Sequence, residues 1–240
     1  MKIVCVILIS VLALGGYAKK ASETSPLITD MNNPETTAHP LNYLALGDSY
    51  TIGEAVTADE SYPYQLTKAL SGQKMSINCP TIIATTGWTT DELIDAISQS
   101  GINDKKFDFV TLLIGVNDQY RGLSQDNYKV KFKEVLNMAI NFAGGDKSHV
   151  FVLSIPDYGV TPFGKSNEAT IAQQIDQFNA INKQISIAAG VNYLDITGIS
   201  RQAANEPDLT AADGLHPSGK MYAMWVNCLE PIVAAKLNAH

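Results

Sequence analysis

From Leu41 onward, short apolar runs alternate with longer stretches of helical period, and this alternation narrows the fold more than any single residue does. The runs 42–47, 77–84, 108–115, 149–155 and 191–196 read as strands, several of them apolar on consecutive positions. A strand buried on both faces has that pattern, and such strands belong to parallel sheets covered by helices. Between the runs lie the helices. Thr89-Thr90-Asp91-Glu92 is a capping box ahead of Leu93, Ile94 and Ile97. Ser124 is placed to cap a helix through Val130, Phe132, Val135, Leu136 and Ile140, which Gly144-Gly145 closes. Ile171, Ile175, Phe178, Ile181, Ile185 and Ala188 keep helical spacing up to Gly190. A last helix through Met221, Trp225 and Leu229 meets Pro231, which predicts a kink or a restart there. The alternation predicts an α/β fold, with a five-stranded parallel sheet, helices on both faces and right-handed crossovers.

The chain of 240 residues is 45% hydrophobic and 17% charged, which supplies the core of one globular domain. A formal charge of −7 speaks against binding to nucleic acid or an anionic membrane surface. No Cys/His cluster has metal-ligand spacing, and neither a metal nor an organic cofactor is expected. Residues 1–18 have the layout of a secretory signal peptide. Lys2 precedes an apolar run from Ile3 to Leu14, and Gly16-Tyr17-Ala18 offers a small-x-small cleavage site. The run is shorter than the ~20 residues a membrane-spanning helix needs, so no stable membrane insertion is expected. The protein is therefore expected to be exported, to a periplasm or the medium. Residues 19–40 are polar and without apolar period, and read as a flexible leader to a domain at 41–240. After cleavage Cys79 and Cys228 remain. They either pair or stay as two separate buried thiols.

In sheets of this kind, ligands bind outside the carboxyl ends of the strands. The first predicted strand runs into Gly47-Asp48-Ser49, the second into Thr85-Thr86-Gly87-Trp88 and the third into Gly115-Val116-Asn117-Asp118. Past the fifth comes Ala212-Asp213-Gly214-Leu215-His216-Pro217-Ser218. Taken singly, each has a plain structural explanation. Ser49 is a cap or turn residue, Gly87 a turn glycine, Asn117 an Asx turn, and Asp213 with His216 a turn hydrogen bond. Gathered at one edge, they are what acyl transfer requires. A serine hydroxyl attacks only when a base takes its proton, neutral imidazole suits that task, and a carboxylate holds the imidazole's tautomer. The tetrahedral intermediate also needs donors for its oxyanion, which the N–H groups of Ser49 and Gly87 and the Asn117 amide are able to supply. Asp48 and Asp118 adjoin these groups and are expected to make structural hydrogen bonds.

Gly47-Asp48-Ser49, Gly87, Gly115-x-Asn117-Asp118 and Asp213-x-x-His216 resemble the four blocks of the GDSL/SGNH hydrolase family in order, spacing and strand placement. The resemblance extends from about Leu41 to the last helix, and the family's usual leucine after the serine is Tyr50 here. It implies a three-layer α/β/α sandwich of flavodoxin type. It further implies Ser49 as nucleophile, His216 as base, Asp213 as its orienter, and an oxyanion hole from Ser49, Gly87 and Asn117. No Gly-x-Ser-x-Gly elbow surrounds Ser49, which sets the chain apart from classical α/β-hydrolases.

The expected activity is hydrolysis of a small-molecule carboxylic ester of short to medium acyl length, with a lysophospholipid-like or acylated-glycan ester as native target. One alternative is acyl transfer to an alcohol or sugar at the same site. Another is a catalytically silent carbohydrate- or lipid-binding module, whose sign would be a lost Ser, Asn or His; none is lost. Substrate contacts are expected from the loop 155–163, which Pro156 and Pro162 stiffen and in which Tyr158 and Phe163 are apolar. Trp88 and Tyr120 are expected beside the oxyanion donors, and Arg121 is placed to hold a phosphate or carboxylate.

Overall fold

The structure is a computed structural model that describes residues 39–239. The signal segment and all but the last two residues of the leader lie outside the described residues. The domain opens with β1 (Tyr43–Gly47), α1 (Ser49–Ile52), α2 (Tyr62–Gly72) and β2 (Thr81–Ala84). It continues through α3 (Thr90–Gln99), β3 (Phe109–Leu113), α4 (Val116–Tyr120), α5 (Gln125–Phe142) and β4 (Val150–Leu153). α6 (Glu168–Ala189), β5 (Asn192–Leu194), α7 (Thr197–Ser200) and α8 (Gly219–Leu237) complete it. All five strands pair in parallel, in the order β2-β1-β3-β4-β5. That is the flavodoxin order, and with right-handed crossovers it puts helices on both faces. α2 packs on α8 in one layer, and α5 packs on α3 and α6 in the other.

The three central strands are buried at every residue, while the edge strands β2 and β5 are only half-buried. This is why the central runs are apolar on consecutive positions. The Tyr43 ring stacks on Phe109 with centroids 4.3 Å apart. The Tyr43 and Tyr62 hydroxyls meet Thr111 Oγ1 at 2.7 and 3.1 Å, so the polar tips of two core tyrosines are satisfied and α2 is tied to the sheet. The helix signals hold. Thr89 and Glu92 close the capping box on α3, Ser124 Oγ accepts the Asn127 N–H at 3.1 Å, and Gly190 ends α6 in the left-handed region at φ 80°.

All five strands are shorter than expected, the third and fourth ending at Leu113 and Leu153, and three differences have a clear local cause. The second strand starts at Thr81 rather than Ile77 because Pro80 has no N–H to give a ladder; ahead of it, Ile77 keeps only an isolated bridge to Leu41. The fifth strand stops at Leu194 because Ser154 Oγ accepts the Ile196 and Thr197 N–H groups at 2.8 and 3.1 Å and draws the chain out of the sheet. α8 runs unbroken through Pro231. Buried Leu229 and Val233 hold both sides of the proline against the domain, and the carbonyl that Pro231 leaves without a donor belongs to exposed Asn227. Cys79 and Cys228 are unbonded and both exposed, so neither the pairing nor the burial weighed from sequence is realised. Cys79 sits in the loop ahead of Pro80, and Cys228 lies on the exposed face of α8 beside Asn227.

Candidate active site

In the sheet register Gly47 is level with Ala84 of β2 and Leu113 of β3. Asp48-Ser49, Thr85–Gly87 and Ile114–Asn117 therefore leave the sheet side by side, at the β1/β3 position where the strand order reverses and where open α/β sheets bind ligands.

Ser49 is the first residue of α1, and Asp48 caps that turn by accepting the Tyr50 N–H on Oδ1 at 3.0 Å. Asp48 is fully buried, and its Oδ2 has no partner. Burial pushes its carboxyl up to about 8, against the Tyr50 hydrogen bond and with the help of the nearby Asp118 charge. Asp118 is clamped by the Thr90 N–H and hydroxyl at 2.9 and 3.0 Å, and burial raises it too, those hydrogen bonds opposing. Both aspartates thus make the structural hydrogen bonds expected of them.

Gly115 turns the chain from β3 into α4 at φ 126°, where a Cβ would stand 2.7 Å from the Tyr128 ring. Only glycine allows that turn. Two residues on, Asn117 Nδ2 donates one hydrogen to the Trp88 carbonyl at 2.9 Å, which fixes the amide and leaves its second hydrogen available. Gly87 is also left-handed, at φ 84°, and its carbonyl accepts from Arg121 Nη2. Arg121 Nη1 in turn pairs with Glu92 at 3.1 Å. Among the described residues, neither the Ser49 N–H nor the Gly87 N–H has a hydrogen-bond partner.

Asp213 and His216 share one tight turn. Asp213 Oδ1 accepts the Leu215 and His216 N–H groups, each at 3.0 Å, and Oδ2 meets His216 Nδ1 at 2.5 Å. Partial burial raises the Asp213 carboxyl, but the hydrogen bonds from the His216 ring and the two amides outweigh it and hold the group below the ordinary range. The bond at Nδ1 turns Nε2 outward as the free acceptor. The Tyr50 ring packs edge-on against the imidazole, centroids 5.7 Å apart.

Ser49, Gly87, Asn117 and His216 line a single cavity of about 180 Å³, with Tyr120, Tyr158 and Phe163 as its aromatic wall. Among the described residues, no hydrogen bond joins the Ser49 hydroxyl to His216, whose ring bonds Asp213 instead. Trp88 and Arg121 are not on the cavity wall. Trp88 packs against the core, and Arg121 is turned away by its bonds to Glu92 and the Gly87 carbonyl. Tyr50, Thr86, Val116 and Leu215 do line it. They adjoin the motif residues in sequence, the one signal that could have found them. The 2.9 Å pair between buried Asp157 and partly exposed Arg201 was also missed. It anchors the loop after β4, and Asp157 Oδ1 accepts the Gly159 N–H at 2.8 Å, an Asp-x-Gly turn visible in the sequence. Among the described residues, no group of three His, Cys, Asp or Glu side chains is placed to hold a metal ion.

The GDSL-like lipase/acylhydrolase family model matches residues 45–224. Comparison with curated protein sequences returns no match. The fold is that of several solved structures. A psychrotrophic esterase from Pseudoalteromonas sp. is 16% identical at TM-score 0.63, over 82% of this chain and 99% of the other. A lipase/acylhydrolase from Enterococcus faecalis is 16% identical at TM-score 0.65, over 82% and 96%. An acetylxylan esterase from Geobacillus stearothermophilus is 17% identical at TM-score 0.61, over 83% and 95%. With the family model spanning all four motif blocks, the chain belongs to the GDSL-like lipase/acylhydrolase family and is a carboxylic ester hydrolase.

Proposed function

We propose that this protein is an exported serine esterase that cleaves short-to-medium acyl esters through an acyl-enzyme on Ser49. The observation that carries the reading is the shared cavity, which brings the Ser49 hydroxyl, the His216 imidazole and the Gly87 and Asn117 donors to one space. Ser49 Oγ attacks the ester carbonyl as His216 Nε2 takes its proton. Asp213, held low in pKa, stays ionised and stabilises the imidazolium. The Ser49 and Gly87 N–H groups and the free hydrogen of Asn117 Nδ2 receive the charge on the carbonyl oxygen. The alcohol oxygen leaves with the proton from His216. Water then attacks the acyl-enzyme by the same path in reverse and releases the acid.

The acyl preference follows from volume. A cavity of about 180 Å³ is small beside the ~300–1,000 Å³ of pockets for drug-sized ligands. It suits an acyl group of a few carbons, carried on a glycan or a lysophospholipid-like alcohol. Export rests on the signal-peptide layout of residues 1–18. Among the described residues, no helix is long and apolar enough to cross a membrane.

The test is Ser49→Ala. The variant should fold with an unchanged circular dichroism spectrum, lose covalent labelling by an organophosphonate and lose nearly all hydrolysis of an aryl acetate. Unchanged turnover would sink the mechanism.

A further inference from the structure

The aromatic wall of the catalytic cavity has a second side. Tyr120, Tyr158 and Phe163 also line a neighbouring groove of about 370 Å³ with Gly164, Asn167, Thr170 and Gln174. Gln119 and Gln174 are shared in turn with a third groove, of about 460 Å³, that reaches Gln125 and Gln177. The three spaces adjoin one another across these shared residues, outward from Ser49 over α4 and the amino-terminal half of α6.

Their lining combines aromatic and aliphatic surface, Ile171, Leu123 and Phe178 included, with uncharged polar groups. The wall between the first two cavities is aromatic, with the three rings spaced 6.1 to 6.3 Å apart and Tyr120 and Phe163 exposed by 59% and 51%. Beyond it the polar groups are mostly side-chain amides, held in place by each other: Gln119 Nε2 donates to Gln174 Oε1 at 2.6 Å and Gln125 Nε2 to Gln177 Oε1 at 2.7 Å. Among the described residues, no lysine or arginine lines any of the three spaces, and Asp126, at the far end, is the one carboxylate. Arg121 and Lys165, each next in sequence to a lining residue, pair with Glu92 and with Glu168, the latter at 2.6 Å.

These features select a ligand. Each primary amide carries both donors and acceptors, as sugar hydroxyls do, and exposed rings offer flat apolar surface to the C–H faces of a pyranose. A phosphate headgroup would meet no free cation here, and an acyl tail would strip amides of water without replacing their hydrogen bonds. The geometry points to an uncharged glycan chain as the alcohol half of the substrate, its ester at Ser49 and its neighbouring sugars lying across Tyr120 and Phe163 onto Gln174. This rests on the Ser49 esterase reading and decides between the two alcohols that reading allows.

The experiment compares substrates with one acyl group, an aryl acetate and O-acetylated neutral hexasaccharides of xylo, manno and gluco type, with lysophosphatidylcholine as control. The variants are Thr170→Trp and Gln174→Leu, both at exposed positions away from the catalytic cavity. Each should lower kcat/KM on at least one acetylated hexasaccharide by about tenfold or more, the size of lost ligand hydrogen bonds and a blocked groove, with aryl-acetate hydrolysis unchanged and, for Thr170→Trp, an unchanged Tm. Equal effects on both substrate classes, or a wild type that prefers lysophosphatidylcholine to every acetylated hexasaccharide, would overturn the glycan assignment. A wild type with no Ser49-dependent hydrolysis of aryl acetate would overturn the esterase reading, and this one with it.

Discussion

Asn117 Nδ2 donates to the carbonyl of Trp88 at 2.9 Å, so the end of β3 is bonded across to the loop after β2. One hydrogen bond does two things. It fixes which way the Asn117 amide points, and it ties that amide to the residue after Gly87, which lines the same cavity.

Removing Asn117 should therefore cost rate, not stability. Losing one oxyanion donor typically lowers kcat by about 10²–10³. Asn117→Ala should show a loss of that order on an aryl acetate, with KM and Tm close to wild type. A change in KM alone would make Asn117 a ground-state contact instead.

Arg121 is a positioning residue in this arrangement. Its pair with Glu92 is roughly half exposed on both sides, and such pairs contribute about 0–1 kcal/mol. Its second bond, to the Gly87 carbonyl, steadies the peptide whose neighbour faces the substrate. Arg121→Met should leave Tm nearly unchanged and lower kcat by roughly tenfold, the scale of one charged hydrogen bond, on neutral and anionic esters alike. A loss confined to phosphate-bearing esters, measured side by side, would show the guanidinium binding substrate after all.

Asp48 predicts an unusual pH profile for stability. Folding moves its carboxyl from an ordinary 3.8 up to about 8. Between those values the folded protein holds a proton that the unfolded chain has released. Stability then falls as pH rises through the window, with the full penalty reached above about 8. Asp48→Asn keeps an oxygen for the Tyr50 N–H and removes the titration. Urea midpoints at about pH 5 and pH 8 should show wild type losing on the order of a few kcal/mol more than the variant on going to the higher pH. Parallel profiles would mean that Asp48 ionises normally.

The frame of the molecule was open to reading from sequence because burial writes directly into residue choice. β1, β3 and β4, buried on both faces, are continuous apolar runs, and Thr89-x-x-Glu92 and Gly190 mark real helix ends. The candidate site was legible for a related reason. Ser49, Gly87 and Asn117 each follow a strand, so finding the strands places the residues at one edge. What stayed hidden depended on partners far along the chain. Arg121 looks free until Glu92, 29 positions earlier, is seen beside it. Trp88 is half-buried against the core although the residues on either side of it face the cavity or cap α3. Cysteine is among the most buried residue types on average, yet Cys228 falls on the outer face of α8, where helical phase and not residue type decides. Pro231 signals a break that the burial of Leu229 and Val233 overrides.

The turn that carries Asp213 and His216 is closed on itself. The Ala211 N–H donates to the His216 carbonyl at 2.7 Å, Thr210 bridges Pro217, and both Asp213 oxygens are taken up within the same few residues. The imidazole and its carboxylate therefore travel as one cassette, whose internal geometry is independent of where the rest of the chain puts it. Its docking, through the Phe163 N–H on the Gly214 carbonyl at 3.0 Å, the Ser218 N–H on the Leu209 carbonyl at 2.9 Å and the edge of Tyr50, sets where it stands relative to Ser49. Such a module moves as a rigid unit when neighbouring loops shift, so the Nδ1–Oδ2 bond survives displacements that would change what the ring faces.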